Sequence, residues 1–191
     1  MEKDADTNDL IPRFSKMQIR HPLVEWGRSW EYLRTKGLSG EQSSLWFQVF
    51  CNILPTRQRL FRLNIIASPI CDLCTDNCEG SLEHSLLECS FNQVNDWILG
   101  VLIDIESNLI DEDLSSSNIL TLNIPLKMEV RLAVTWFLST VLGTVWRNRQ
   151  SRRLQTLMAI RATIKGEIST FRGSKYRNIA NIIDIATNFI S

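Results

Sequence analysis

The chain has 191 residues, 44% of them apolar and 22% charged, with 21 basic and 21 acidic side chains in balance. That length allows one domain with a real core, and the composition excludes a collagenous, low-complexity or wholly disordered chain. Zero formal net charge gives the chain as a whole no electrostatic bias toward nucleic acid or a membrane surface.

In chain order, residues 1–20 read as a flexible tail, and 1–9 are acidic and polar without the apolar run of a secretory signal. The expected setting is therefore intracellular, with nucleus and cytoplasm left open. Over 24–33, Trp26, Trp30 and Leu33 at i, i+4, i+7 predict a short amphipathic helix, ended by Lys36, Gly37 and the Ser39–Gly40 pair. A second helix is predicted over 41–53, with Leu45, Phe47, Val49, Phe50 and Ile53 apolar and Cys51 as a core thiol. Pro55 breaks it, and Thr56 caps a third helix to about 63 that carries Leu60, Phe61 and Leu63. Residues 64–70 are the one plausible extended piece. A cysteine-bearing loop follows over 68–80. Ser81 caps a helix with His84, Leu86 and Leu87, and helical patterning continues over 91–105. Residues 111–124, polar and serine-rich, read as a loop and domain boundary. Pro125 opens a long helix to about 149. Leu154, Leu157, Met158, Ile164, Ile168 and Phe171 mark another helix, stopped by Gly173. Ser174 caps a last one with an apolar stripe at Tyr176, Ile179, Ile183, Ala186 and Ile190.

The fold class is thus mainly α: a helical domain with a small embedded zinc-knuckle-like Cys-Cys-His-Cys segment. Residues 21–110 hold helices plus the zinc-binding segment, and 125–191 form a C-terminal helical hairpin or bundle packing on them. Residues 132–146 are uncharged, but they include Thr135, Ser139, Thr140, Gly143 and Thr144 and are short for a membrane span. A buried core helix is the expectation there, and no membrane partner is implied.

Five cysteines, an odd number, fit metal binding better than a disulfide framework in a reducing compartment. Cys71-x2-Cys74 lets two sulfurs reach one ion, and His84-x4-Cys89 completes a tetrahedral set for a structural Zn2+. Cys78, four residues after Cys74, is an alternative ligand for the place of Cys89 or His84. Four protein ligands close the site, leaving no position for a catalytic water. The strand-then-helix setting of a redox Cys-x2-Cys is missing, as are phosphate-loop and hydrolase motifs. With two histidines in the chain, one of them a ligand candidate and His21 an ordinary exposed one, a histidine-dependent triad has no support. No enzyme activity is expected.

Charge is unevenly distributed along the chain. Residues 71–113 carry eleven Asp and Glu and no Lys or Arg, whereas 147–177 carry nine Lys and Arg against Glu167 alone. The basic block can mark a nucleic-acid surface, or it can face the acidic block or solvate helix faces. Asp72, Asp76, Glu79, Glu83 and Glu88 surround the ligands and would repel phosphate. Weak contact with RNA or DNA, without sequence preference, is therefore placed at Arg147, Arg149, Arg152, Arg153, Arg161 and Lys165. The arginines of 147–153 also sit where a long helix ends and its dipole favours cations. Of the six tryptophans, all but Trp146 read as core residues.

Trp46, Leu54-Pro55-Thr56, Arg59-Leu60, Ser68-Pro69-Ile70-Cys71-Asp72-Leu73-Cys74, Leu82-Glu83-His84-Ser85-Leu86-Leu87-Glu88-Cys89 and Trp97 follow one another in a specific order. Over 46–97 this order resembles the zinc-binding segment downstream of the polymerase in non-LTR retrotransposon reverse transcriptases. Val145-Trp146-Arg147-Asn148-Arg149 looks like the Trp- and Arg-rich helix that follows it. The resemblance implies a C-terminal accessory piece of a retroelement polyprotein, contacting nucleic acid or the remainder of that polyprotein. The paired aspartates of the polymerase and the endonuclease are absent. The alternative is a helical protein-interaction or purely structural domain stapled by zinc.

Overall fold

The computed structural model describes residues 21–34, 38–92, 94–152 and 157–171, together with Asn181 and Asp184. The expected tail, Arg153 and all but two positions of the last expected helix lie outside the described residues.

Local chemistry sets the helix starts. Helix α1 runs Trp26–Arg34 and α2 runs Gly40–Phe50. Ser39 and Gln42 close a reciprocal capping box: the Gln42 N–H donates to Ser39 Oγ at 3.2 Å and the Ser39 N–H to Gln42 Oε1 at 2.8 Å. Ser39 therefore opens a helix as well as following one. Helix α3, Arg57–Arg62, is capped by Thr56, whose Oγ1 accepts from the Arg59 N–H at 3.3 Å. A π-helical turn follows at His84–Glu88, then α4 at Asn95–Ile105, α5 at Ser116–Thr121, α6 at Met128–Ser151 and α7 at Leu157–Phe171.

Helix α6 is the axis of the body. Helices α1, α2, α4 and α7 and the π-helical turn all pack on it, and 133–142 is buried without interruption. A helix apolar all round must be enclosed on every side, and here it is enclosed by protein. Three of its hydroxyls are satisfied within the helix: Thr135 Oγ1 donates to the Arg131 carbonyl at 2.9 Å, Thr144 Oγ1 to that of Thr140 at 2.8 Å, and Ser139 Oγ to that of Thr135, while Thr140 Oγ1 donates to Glu167 Oε2 on α7 at 3.2 Å. Trp46, wholly buried on α2, donates its indole N–H to Ser139 Oγ at 2.6 Å. Among the described residues no helix is long and apolar enough to cross a membrane.

Several expectations change. The stretch 111–124 is no boundary loop: it contains α5, capped by Ser115, and Ile119, Leu120, Leu122 and Ile124 enter the same core as α2 and α6. Its polar serines are the cap and first turn of a helix too short to show periodicity. The continuation over 91–105 becomes helix only from Asn95. The extended piece over 64–70 shrinks to one isolated antiparallel bridge, Ile70 with Glu79. Helix α3 buries none of its residues, and Phe61 and Leu63 stand exposed. It is held by polar contacts instead, such as Arg59 Nη1 donating to the Asn52 carbonyl at 2.7 Å. Met158 faces solvent while Ile160 and Ile164 are buried in the core. Cys51 is a half-buried helix cap, not a core thiol. His21 is half-buried, with its Nδ1 2.9 Å from Ser117 Oγ. Three of the tryptophans, Trp46, Trp97 and Trp136, are buried, and Trp26, Trp30 and Trp146 pack half-buried against the core.

Candidate metal centre

Cys71, Cys74, His84 and Cys89 converge, with their ligand atoms all within 4.8 Å of one another. Cys71 Sγ lies 3.9 Å from Cys89 Sγ, and Cys74 Sγ lies 3.4 Å from His84 Nε2. A tetrahedral ion with bonds of about 2.0–2.3 Å requires ligand atoms about 3.5–3.8 Å apart. The donor set therefore fits a metal ion in both chemistry and spacing.

Two local devices build it. The first is a tight hairpin. The Gly80 N–H donates to the Pro69 carbonyl at 2.8 Å, and the Cys71 N–H to the Cys78 carbonyl at 2.9 Å. This bond fixes the role of Cys78: its backbone closes the hairpin, while its thiol stays exposed, 3.4 Å from the Asp76 carbonyl and outside the ligand cluster. Gly80 is needed for close approach, because a Cβ there would lie 2.9 Å from Arg57 Cβ. Asn77 takes the left-handed conformation (φ 51°) that asparagine tolerates better than most residues.

The second device is the π-helical turn. Ser81 Oγ accepts from the His84 N–H at 3.0 Å and starts the segment as expected. The Cys89 N–H then donates to the His84 carbonyl at 2.9 Å, a bond spanning five residues. At about 100° per residue an ordinary α-helix would leave His84 and Cys89 about 140° apart; the wider turn brings them toward one face. The Ser85 carbonyl is taken up by the buried Asn92 side chain at 3.0 Å. Asn92 is a supporting residue that the sequence did not point to.

The sulfurs perturb one another's ionisation. Burial works against ionising Cys71, but the Leu73 N–H, the Arg149 guanidinium, His84 and the Cys74 N–H outweigh it and bring the thiol down to about 6. Burial, joined by the neighbouring Cys71 and Cys89 sulfurs, pushes Cys74 up to about 12. One sulfur ionises readily and a second then resists, as like charges at this separation must.

The arginines placed at a nucleic-acid surface are brought largely into protein contacts. Arg149 Nη2 donates to Cys71 Sγ at 3.3 Å. Arg152, in the left-handed cap of α6 (φ 51°), pairs with Asp72 at 2.9 Å. Asp72 also holds Arg57 at 3.1 Å, and Arg57 donates to the Ser68 carbonyl at 3.2 Å. The acidic and basic blocks thus meet at the rim of the metal centre. Arg147 lies 3.7 Å from Glu41, and the Arg161 guanidinium lies 5.4 Å from the centre of the Trp97 ring. Lys165 is exposed. A cleft of about 960 Å3 between α2 and α6, bordered by Gln48, Trp136, Trp146 and Glu167, contains none of the four metal-ligand candidates.

Comparison with known protein families, with curated proteins and with solved structures gives no match for this chain.

Proposed function

We propose that this chain is a non-catalytic zinc-binding module, in which one Zn2+ held by Cys71, Cys74, His84 and Cys89 staples a hairpin to a helical body. The observation that carries it is the convergence of all four ligand atoms within 4.8 Å. Three thiolates and one imidazole in a tetrahedron suit zinc, and with four protein ligands the ion supplies folding energy and no open position for substrate. Native mass spectrometry is expected to find one zinc per chain. Protein that is metal-free, folded and indifferent to a strong chelator would overturn the proposal.

The order of motifs around these ligands supports a setting as an accessory module of a retroelement reverse transcriptase, contacting RNA or DNA. A specific observation keeps that contact open: Arg147 and Arg152 retain 57% and 74% side-chain exposure despite their ion pairs, and Lys165 is exposed. Three such phosphate contacts on duplex DNA give a log–log salt slope of roughly −3 at about −0.9 each. Arg152→Ala with Lys165→Ala should flatten it by up to about two units. No binding even at low salt leaves the second reading, a structural or protein-interaction domain stapled by zinc.

A further inference from the structure

A half-buried guanidinium faces the metal centre from outside the ligand set. Arg149 sits in the last turn of α6. A cation at that position ordinarily points into water and complements the helix dipole. Arg149 instead turns inward. Its Nη1 is buried with no partner among the described residues, and its Nη2 donates to Cys71 Sγ at 3.3 Å. Cys71 Sγ in turn lies 3.9 Å from Cys89 Sγ, so one guanidinium stands against a pair of sulfurs. A cation withdrawn from water is costly unless an anion answers it, and the hydrogen-bonded partner here is a cysteine sulfur, not a carboxylate.

Charge counting gives the complementary half. Three thiolates and a neutral imidazole around a divalent cation leave the centre with one net negative charge. The single positive charge of Arg149 cancels it. We propose that Arg149 is a positioning residue of the metal centre: it hydrogen-bonds Cys71, neutralises the thiolate–metal unit, and so ties metal loading to the docking of the end of α6 on the hairpin. This rests on the zinc reading above. The surrounding contacts fit it. Helix α6 packs on the π-helical turn that carries His84, and one turn on, Arg152 pairs with Asp72, which lies between Cys71 and Cys74 in the hairpin. Arg149 is thereby withdrawn from any phosphate-binding surface.

The test uses the full chain, with Zn2+ affinity read by competition with a chromophoric chelator and Co2+ as a spectroscopic probe. Arg149→Met is expected to lose about 10–100-fold in Zn2+ affinity, the usual cost of removing an outer-shell partner. Its thiolate-to-cobalt charge-transfer band is expected at lower energy, because a sulfur lone pair no longer held by a hydrogen bond is easier to oxidise. Arg149→Lys keeps the charge and should lose less affinity while still shifting the band. Arg147→Met, on the same helix but directed at Glu41, should match wild type in both. If Arg149→Met does not fold, Arg149→Lys decides by its band position. Wild-type affinity and band position in the Arg149 variants overturn the proposal and leave the zinc reading standing. A wild-type chain that takes up neither Zn2+ nor Co2+ overturns both.

Discussion

The hairpin that carries the cysteines and the helical body around α6 are held together by different means. The body has a continuous apolar core in which Trp46, Phe50, Phe137, Leu138 and Leu142 are fully buried. The hairpin region has little of this: α3 buries nothing, Phe61, Leu63 and Ile65 are exposed, and the loop from Asp72 to Glu79 is half-buried at most. Burial of apolar surface sustains the first. The second has a few charged contacts and, on the metal-binding proposal, an ion held by four ligand atoms. A fold of this kind should come apart in two stages.

Removing the ion should have the largest effect and keep it local. Chelation, or Cys74→Ser, is expected to raise amide hydrogen exchange across 68–80 to near-unfolded rates, while the π-helical turn, whose Leu86 and Leu87 lie in the core, and α6 between 133 and 142 stay protected. Metal binding of this type is worth about 10–16 kcal/mol in isolated zinc-finger peptides, and that energy is also folding energy. Uniform loss of protection through α6 would mean that the two regions are one cooperative unit.

Trp46→Ala probes the other side. It removes a wholly buried indole and its hydrogen bond to Ser139, and should cost about 3–5 kcal/mol in urea unfolding. One zinc per chain should still be found below the transition. Gly80→Ala comes next, at about 1–3 kcal/mol, because the new Cβ meets the Cβ of Arg57, which cannot swing away. Weakened metal binding with an unchanged midpoint for the body would localise that strain to the hairpin.

The smallest effect is one of pH. The Lys127 ammonium, 2.8 Å from Glu106 Oε1, holds the carboxyl below its ordinary value against the opposing effect of burial, and Asn108 assists. A depressed carboxylate adds stability above its unfolded value of about 4.3, and that contribution disappears as pH falls through the lower folded value. Lys127→Met should therefore unfold at lower urea than wild type at pH 7, and the two midpoints should converge in acid. A gap that persists at low pH would point to packing of the lysine stem instead.

What could be read from the sequence was whatever is settled within a few residues. The Cys-x2-Cys turn, the His84-x4-Cys89 spacing, and the caps Thr56 and Ser81 are local, and all recur in the structure. The burial of 132–146 could also be read, since only a core or a bilayer accepts such a run. Pairings made across the chain left no trace. Arg149 meets Cys71 from 78 residues away, and His21 meets Ser117 from 96. An arginine cluster near a helix end reads as dipole complement or phosphate contact, and neither pattern encodes a sulfur partner. Phe61 and Leu63 misled for the opposite reason: apolar side chains on a two-turn helix suggest a buried face, but six residues are too few to define one.

The hydrogen bond from Trp46 to Ser139 has a consequence for the order of assembly during synthesis. The two residues are 93 apart in sequence, whereas the four metal ligands lie within a span of 19, from Cys71 to Cys89. At about 5–20 residues per second, Trp46 waits roughly 5–20 s for Ser139 to be made. The ligand set is complete well before then, and closing a short loop costs less entropy than closing a long one. On the metal-binding proposal, an ion is captured while the main core does not yet exist. A newly made chain would then carry an anionic metal knot beside the unshielded apolar face of α2 until α6 delivers the side chains that cover one and neutralise the other.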